Sequence, residues 1–241
     1  MSDLKFKRVL LKLSGEALMG DQAFGIDRAI VDKFAAEIGT LVDAGAELAL
    51  VIGGGNIFRG VSVAAKGGNR VVGDHMGMLA TVMNGLAMGE ALSARGIETV
   101  VMSAIAMPEI CETFTQRAAL DHMNAGRVVI FVAGTGNPYF TTDSGAALRA
   151  AEMQCDALLK ATQVDGIYSA DPKTNPDAER FDRITHSEVI ERGLAVMDTA
   201  AFAVTRENAI PIIVFSLHDE TSMLDVLRGA GRYTLVSAKA E

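Results

Sequence analysis

The sequence predicts an α/β fold: an open, largely parallel central sheet sandwiched by helices, with two lobes sharing one continuous sheet. Three observations predict it. Short runs of β-branched and aliphatic residues recur along the 241 residues, each followed by a glycine-bearing turn and then a helical period. Several of these runs are apolar at every position, the pattern of strands covered on both faces. No internal repeat, low-complexity tract or long linker interrupts the alternation.

The first strand is expected at residues 9–12 and closes on Lys12-Leu-Ser-Gly15. A lysine ending a buried strand is costly unless its ammonium meets an anion or water, and Gly15 lets the chain turn with its N–H groups exposed. Ile30, Phe34, Ile38 and Leu41 then repeat at helical spacing, with Asp27 as N-cap and Gly45 just past the end. The second strand, 48–52, runs into Gly53-Gly54-Gly55-Asn56, with Arg59 shortly after. Three residues without Cβ atoms let an anion approach the backbone, and Arg59 offers a planar fork for phosphate oxygens. Met76, Leu79, Met83 and Leu86 mark a second helix, whose methionine-rich stripe is expected to face the core. Asp74 ahead of them suits either an N-cap or an acceptor for sugar hydroxyls.

Further strands are expected at 99–102 and 128–133. The second opens on a loop from Gly134 to Ser144 that holds glycines, threonines, an asparagine, an aromatic pair and Asp143, ahead of a helix over 145–153. Such a loop offers backbone donors, hydroxyls and flat surfaces together, as a polar heterocycle carrying a phosphate requires. Asp143 also has the position of an ordinary N-cap. A strand over 157–160 ends in Lys160-Ala-Thr162. Residues 164–176 then break the rhythm with two proline-marked turns and begin the second lobe. Lys160, Thr162, Tyr168 and Asp171 could line a nucleoside pocket there, although taken alone a turn-rich β excursion explains them better. The last expected strand is 212–215.

A net charge of −8 and a pI near 5.1 leave no electrostatic footprint for nucleic acid or anionic membranes. Any phosphate must therefore be held by a few local cations and backbone N–H groups. No uninterrupted apolar run approaches the roughly 20 residues of a spanning helix, and Lys7, Arg8 and Lys12 interrupt the first apolar stretch. Cys111 and Cys155 form no Cys-x-x-Cys pair, which points to an intracellular chain with core or boundary thiols. His75, His122, His186 and His218 lack metal-ligand spacing. The Walker-A pattern is absent, and both Gly-x-Gly segments fail the dinucleotide fingerprint, at Phe58 and Tyr139.

The order of these segments resembles the amino acid kinase family over residues 8–217. Two motifs are similar specifically to its bacterial UMP kinases: Gly73-Asp-His-Met-Gly-Met-Leu-Ala-Thr-Val-Met-Asn-Gly-Leu-Ala87, and Gly134-Thr-Gly-Asn-Pro-x-Phe-Thr-Thr-Asp143. The resemblance implies the amino acid kinase fold, with a UMP lobe over about 8–160 and an ATP nucleoside lobe over about 161–241. It implies ATP-dependent, reversible phosphorylation of UMP to UDP in pyrimidine biosynthesis by direct in-line transfer. It further implies a cytoplasmic homohexamer, Mg²⁺ brought in by ATP, and GTP or UTP as effectors. By position, ATP phosphates fall on Lys12, Leu13, Ser14, Gly15, Gly55 and Arg59, and adenosine on Thr162, Tyr168 and Asp171. UMP falls on Gly54, Asp74, Thr135, Gly136, Asn137, Pro138, Tyr139, Phe140, Thr141 and Thr142.

Lys12 and Arg59 are expected to neutralise the transferred group, with Lys160 as a second ammonium and Asp143 positioning the lysines. The loop Gly20-Asp21-Gln22-Ala23-Phe24-Gly25 resembles the segment tied to GTP activation in some members. Gly89 and Val100 stand where some GTP-responsive relatives carry arginines, and Gln163 where many carry asparagine. The rival readings are a family kinase acting on a carboxylate, a non-catalytic nucleotide-binding relative, and a nicotinamide-dependent oxidoreductase.

Overall fold

The apolar runs form strands β1 (Arg8–Leu13), β2 (Glu47–Ile52), β3 (Thr99–Ser103), β4 (Glu112–Thr113), β5 (Val128–Val132) and β6 (Ala157–Thr162). They continue with β7 (Ile167–Tyr168), β8 (Arg180–Phe181), β9 (Arg183–Thr185), β10 (Ile212–Ser216) and β11 (Thr234–Ser237). This is a computed structural model, and it describes residues 4–58, 67–172, 174–194, 196–217 and 222–239. Nine strands make one sheet in the order β4-β3-β5-β2-β1-β6-β10-β11-β9, and β7 pairs with β8 separately. Neighbours from β4 to β10 run parallel. β11 turns antiparallel on β10, and β9 pairs parallel with β11. Strand β5 stops one residue before the expected end, because Ala133 takes a left-handed φ of 60°.

Helices α1 (Arg28–Asp43), α2 (Arg70–Ser93), α3 (Gln116–Asn124), α4 (Thr142–Glu152), α5 (His186–Glu191), α6 (Thr199–Glu207) and α7 (Met223–Leu227) cover both faces. The two-residue period of the strands divides the core accordingly. In β1, Val9, Leu11 and Leu13 enter the core under α1, α2 and α7, whereas Leu10 enters the one under α3, α4 and α6. In β6, Leu159 belongs to the first core and Leu158 to the second. Cys155 is buried, and burial pushes its thiol up to about 12, so it packs as a small apolar residue.

Helix α1 forms as its pattern predicts. Asp27 accepts from the N–H groups of Ala29 and Ile30, while Phe34, Ile38 and Leu41 are buried. Helix α2 departs from expectation in two ways. Its N-cap is Asn69, which places Asp74 in the second turn rather than ahead of the helix. Its methionine stripe also faces outward: Met76, Leu79, Met83 and Leu86 are 45%, 52%, 54% and 38% exposed, and Val72 extends the same line. The core is filled instead by Met78, Val82, Met88 and Leu92. The helix is apolar nearly all round, so helical spacing alone does not determine which face packs on the sheet. Helix α4 likewise starts earlier than expected, with Thr141 as its cap and Asp143 in its first turn, so Asp143 is not the N-cap.

Candidate active site

The carboxyl ends of β1, β2, β5 and β6 meet where parallel strands run out of the sheet, with β1 between β2 and β6. Lys12 and Lys160 are register partners across β1 and β6. Two residues beyond Leu10 and Leu158 in their strands, both lysines project to the face under α4. The first turn of α4 supplies the counter-ion. Asp143 Oδ1 lies 2.7 Å from Lys12 Nζ, and the Lys160 ammonium donates to both Asp143 oxygens at 2.7 Å. All three groups are largely buried. Burial alone would raise the Asp143 carboxyl, but the charges of Lys12 and Lys160 outweigh it and hold it below its ordinary value. Burial, followed by repulsion from Lys12, brings Lys160 down to about 8. Two cations against one anion leave a local positive focus in a chain of net charge −8.

The turns leave no room for a side chain at Gly15 or Gly54. A Cβ on Gly15 would stand 2.4 Å from both Gly53 O and Asn56 Oδ1, so the turns after β1 and β2 pack backbone to backbone. A Cβ on Gly54 would lie 2.8 Å from Ala80 Cβ and from Gly77 O of α2. A buried amide pair pins this junction. Asn56 Nδ2 donates to Asn84 Oδ1 at 2.9 Å, and Asn84 Nδ2 donates to Asn56 Oδ1 at 2.7 Å and to Gly53 O at 2.6 Å. The Leu13 side chain points into the core, and its carbonyl accepts from Gly53 N at 2.9 Å. Arg59 lies outside the described residues, as does His218.

A cavity of about 500 Å³ opens beside the glycine turn, lined by Gly54, Gly55, Asp74, Thr135, Phe140, Thr141 and Thr142 among others. Asp74 is held there by Arg70 Nε, which donates to both carboxylate oxygens at 2.8 and 2.9 Å, and by Tyr139 N at 2.8 Å. Thr81 in α2 accepts from Ala133 N at 2.8 Å and so fixes where the loop after β5 begins. Gly136, Asn137, Pro138 and Tyr139 form the outer course of that loop and do not line the cavity; Tyr139 is exposed, with φ of 72°.

A second cavity, of about 580 Å³, is lined by Lys160, Thr162, Tyr168, Asp171 and Pro172 on one side and by Arg192, Gly193, Leu194 and Val196 on the other. Tyr168 is fixed by its hydroxyl, which donates to Asp165 at 2.6 Å. A third, of about 230 Å³, lies between the two and is lined by Lys12, Ser14, Glu16, Lys160, Thr162 and Gln163 among others. Glu16 is common to the first and third cavities, and Lys160 and Thr162 to the second and third.

Sequence reasoning missed Arg70, Thr81, Asn84 and the wall from Arg192 to Val196. The neighbouring polar spacing hints at Arg70, four residues before Asp74. Leu194 and Val196 have no local signal, since ordinary apolar residues look alike until tertiary packing places them. The loop from Gly20 to Gly25 lies beside the site: Gly25 N donates to Asn56 O at 2.8 Å, and Asn56 Nδ2 donates to Gly25 O at 2.9 Å.

The sequence profile of the amino acid kinase family matches residues 7–216. The chain is 63% identical over 234 residues to a uridylate kinase of Bartonella henselae, covering 97% of this chain and 98% of that one. It is 65% identical over 232 residues to a uridylate kinase of Sinorhizobium medicae, covering 96% and 97%. Among solved structures, UMP kinase from Bacillus anthracis matches with a TM-score of 0.93 at 36% identity, over 98% of this chain and 97% of that one. UMP kinase from Ureaplasma parvum matches with a TM-score of 0.91 at 37% identity, over 97% and 100%.

Proposed function

We infer the reaction of this chain from one premise, that it belongs to the amino acid kinase family and stands among its uridylate kinases. It is an enzyme that moves the γ-phosphoryl group of ATP to the phosphate of UMP, giving UDP for pyrimidine nucleotide metabolism. One observation supports the assignment of sites. Three cavities follow one another through common lining residues, and the middle one holds Lys12 and Lys160. We assign the first cavity to UMP, the middle one to the phosphates in transfer and the second to adenosine. The acceptor lobe is then about residues 8–160 and the donor lobe about 161–241.

The acceptor is a phosphate monoester whose second pKa is about 6, so at neutral pH it is mostly dianionic and needs no general base. Catalysis is then alignment of two anions and stabilisation of charge on the group in flight. Lys12 and Lys160 supply that charge at the strand ends. Asp143, committed to both ammonium groups, sets their positions rather than removing a proton. The N–H groups of Gly54 and Gly55 and the positive end of α4 add to the field. The family pattern adds Arg59.

We read Mg²⁺ as carried by ATP, where it would neutralise phosphate charge; the pairing of Asp143 with lysines rather than with other carboxylates supports this reading. The outward stripe of α2 supports assembly with further copies, which we read as a homohexamer. The double tie between Gly25 and Asn56 supports residues 20–25 as the seat of a GTP response, alongside UTP as inhibitor. Free Cys111 and Cys155 suit the cytoplasm, and among the described residues no helix is long and apolar enough to cross a membrane.

The test is an ADP-release assay with UMP, dUMP, CMP, AMP and N-acetylglutamate as acceptors. UMP is expected to be preferred by orders of magnitude in kcat/KM. Turnover of N-acetylglutamate with UMP inert would overturn the assignment.

A further inference from the structure

Asp198 lines none of the three cavities, yet two helices converge on its carboxylate. It caps α6 by accepting from Ala201 N at 2.8 Å. It accepts from Ser144 Oγ through both oxygens, at 2.9 and 2.8 Å, and from the Thr141 hydroxyl. Thr141 is the N-cap of α4 and lines the acceptor cavity, and Ser144 is buried in the first turn of that helix. Asp143, which holds both lysines, lies between them in sequence. On its other side, Asp198 follows Val196, which lines the donor nucleoside cavity together with Arg192, Gly193 and Leu194. Met197, the residue between, is buried in the same core cluster as Ala146, Ala147 and Ala150 of α4 and Phe202 of α6. The wall of one nucleotide pocket is therefore joined to the lining of the other by three consecutive residues, with Met197 in the core that α4 shares and Asp198 bonded to the start of that helix.

We propose that Asp198 is a positioning residue that couples occupancy of the donor nucleoside cavity to the acceptor cavity, acting through Thr141 and Ser144 on the first turn of α4. This rests on the assignment of ATP and UMP to those cavities. A nucleoside pressing on Leu194 and Val196 shifts the segment that ends in Asp198. Because packed interiors transmit displacement rather than absorb it, the turn bearing Thr141, Thr142 and Asp143 moves with it. Coupling of this kind is reciprocal, so UMP must tighten the donor nucleotide by the same factor.

Calorimetry on the full chain tests this, titrating UMP into protein with and without saturating β,γ-methylene-ATP, an analogue that does not react. The wild-type chain is expected to bind UMP about fivefold or more tightly when the analogue is present, the lower end of ordinary coupling. Asp198→Asn keeps a good helix cap but replaces a carboxylate oxygen facing the two hydroxyls by a donor. It is expected to reduce the coupling to less than about twofold, with each nucleotide alone bound as in the wild type. Ser144→Ala removes one of the hydroxyls that donate to Asp198 while leaving both cap residues and the cavity lining in place, and is expected to give an intermediate factor; it carries the test if Asp198→Asn does not fold. A purely structural role would lower stability and leave the factor unchanged. Retention of the wild-type factor in both variants, or two nucleotides that bind the wild type independently, would overturn the proposal and leave the site assignment standing. Failure of the analogue alone to bind would overturn the assignment and the proposal with it.

Discussion

Lys12 and Lys160 face each other as register partners of adjacent parallel strands, and one carboxylate, Asp143, lies 2.7 Å from both ammonium groups. Two buried like charges side by side repel strongly, so the arrangement holds only with an anion between or above them. In the free protein Asp143 is paired with both lysines, and the positive charge at the strand ends favours entry of phosphates. A net-acidic chain thereby gains an anion site without a basic surface.

Replacing Lys12 tests the focus directly. Lys12→Ala is expected to lower kcat about 10²–10³-fold, as removal of a single transition-state donor does elsewhere. Thermal stability should change little, because Asp143 keeps Lys160. Steady-state kinetics and a thermal melt check both, and near-wild-type turnover would remove the role assigned to this lysine.

Asp143→Asn leaves two buried ammonium groups without a counter-charge and is expected to cost about 3–5 kcal/mol of stability. Saturating ATP should restore more of the lost Tm than it adds to the wild type, since phosphates replace the missing anion. Turnover should fall without loss of an acidic limb in the pH profile, because Asp143 is not a base. A new limb near the pKa of a carboxylate would contradict that.

The pH dependence of donor binding follows from Lys160, whose ordinary value of 10.5 falls to about 8 through burial and the nearby Lys12 charge. Between those values the unfolded chain holds more protons than the folded one. Stability therefore rises as pH climbs from 8 towards 10.5, and the full penalty of a buried charged lysine applies below 8. Activity runs the other way. kcat/KM for ATP is expected to fall as pH rises through about 8, and bound phosphates should move the kcat limb higher. Lys160→Arg should abolish the limb; a wild-type profile flat to pH 10 would refute the account.

Gly54→Ala places a methyl 2.8 Å from Gly77 O and Ala80 Cβ, within a helix–turn contact that has no space to give. The expected cost is about 1–3 kcal/mol, typical of overpacking. KM for UMP should rise as the turn is pushed away from α2. A variant with unchanged stability and KM would show that the turn relaxes freely.

Leu79→Glu combined with Met83→Glu puts two charges on the outward stripe of α2 and touches none of the three cavities described above. Sedimentation is expected to show a smaller assembly with secondary structure retained. An unchanged sedimentation coefficient would place the interface elsewhere.

Much of the fold was legible because its signals are local. The strand runs, Asp27 as a cap, and the glycine turns at strand ends all follow from the preferences of adjacent residues. The sequence order of Lys12, the triple glycine, Asp143 and Lys160 pointed to one site, and their relative positions follow from parallel pairing of β1 with β2 and β6. The outward stripe of α2 was misjudged because both faces of that helix are apolar. The wall at Leu194 and Val196 was invisible because nothing polar marks it, and Asn84 and Asp198 act through partners 28 or more residues away.

By itself, then, the sequence determined the alternation of strands and helices, the places where backbone must approach an anion closely, and the residue types available to meet it. Only the tertiary structure decided which lysines stand side by side, which carboxylate lies between them, and which apolar face of α2 is left outside. The physical reason is distance along the chain. Periodicity and turn chemistry act over a few residues, whereas charge pairing and face selection are set by strand register and helix packing between segments far apart in sequence.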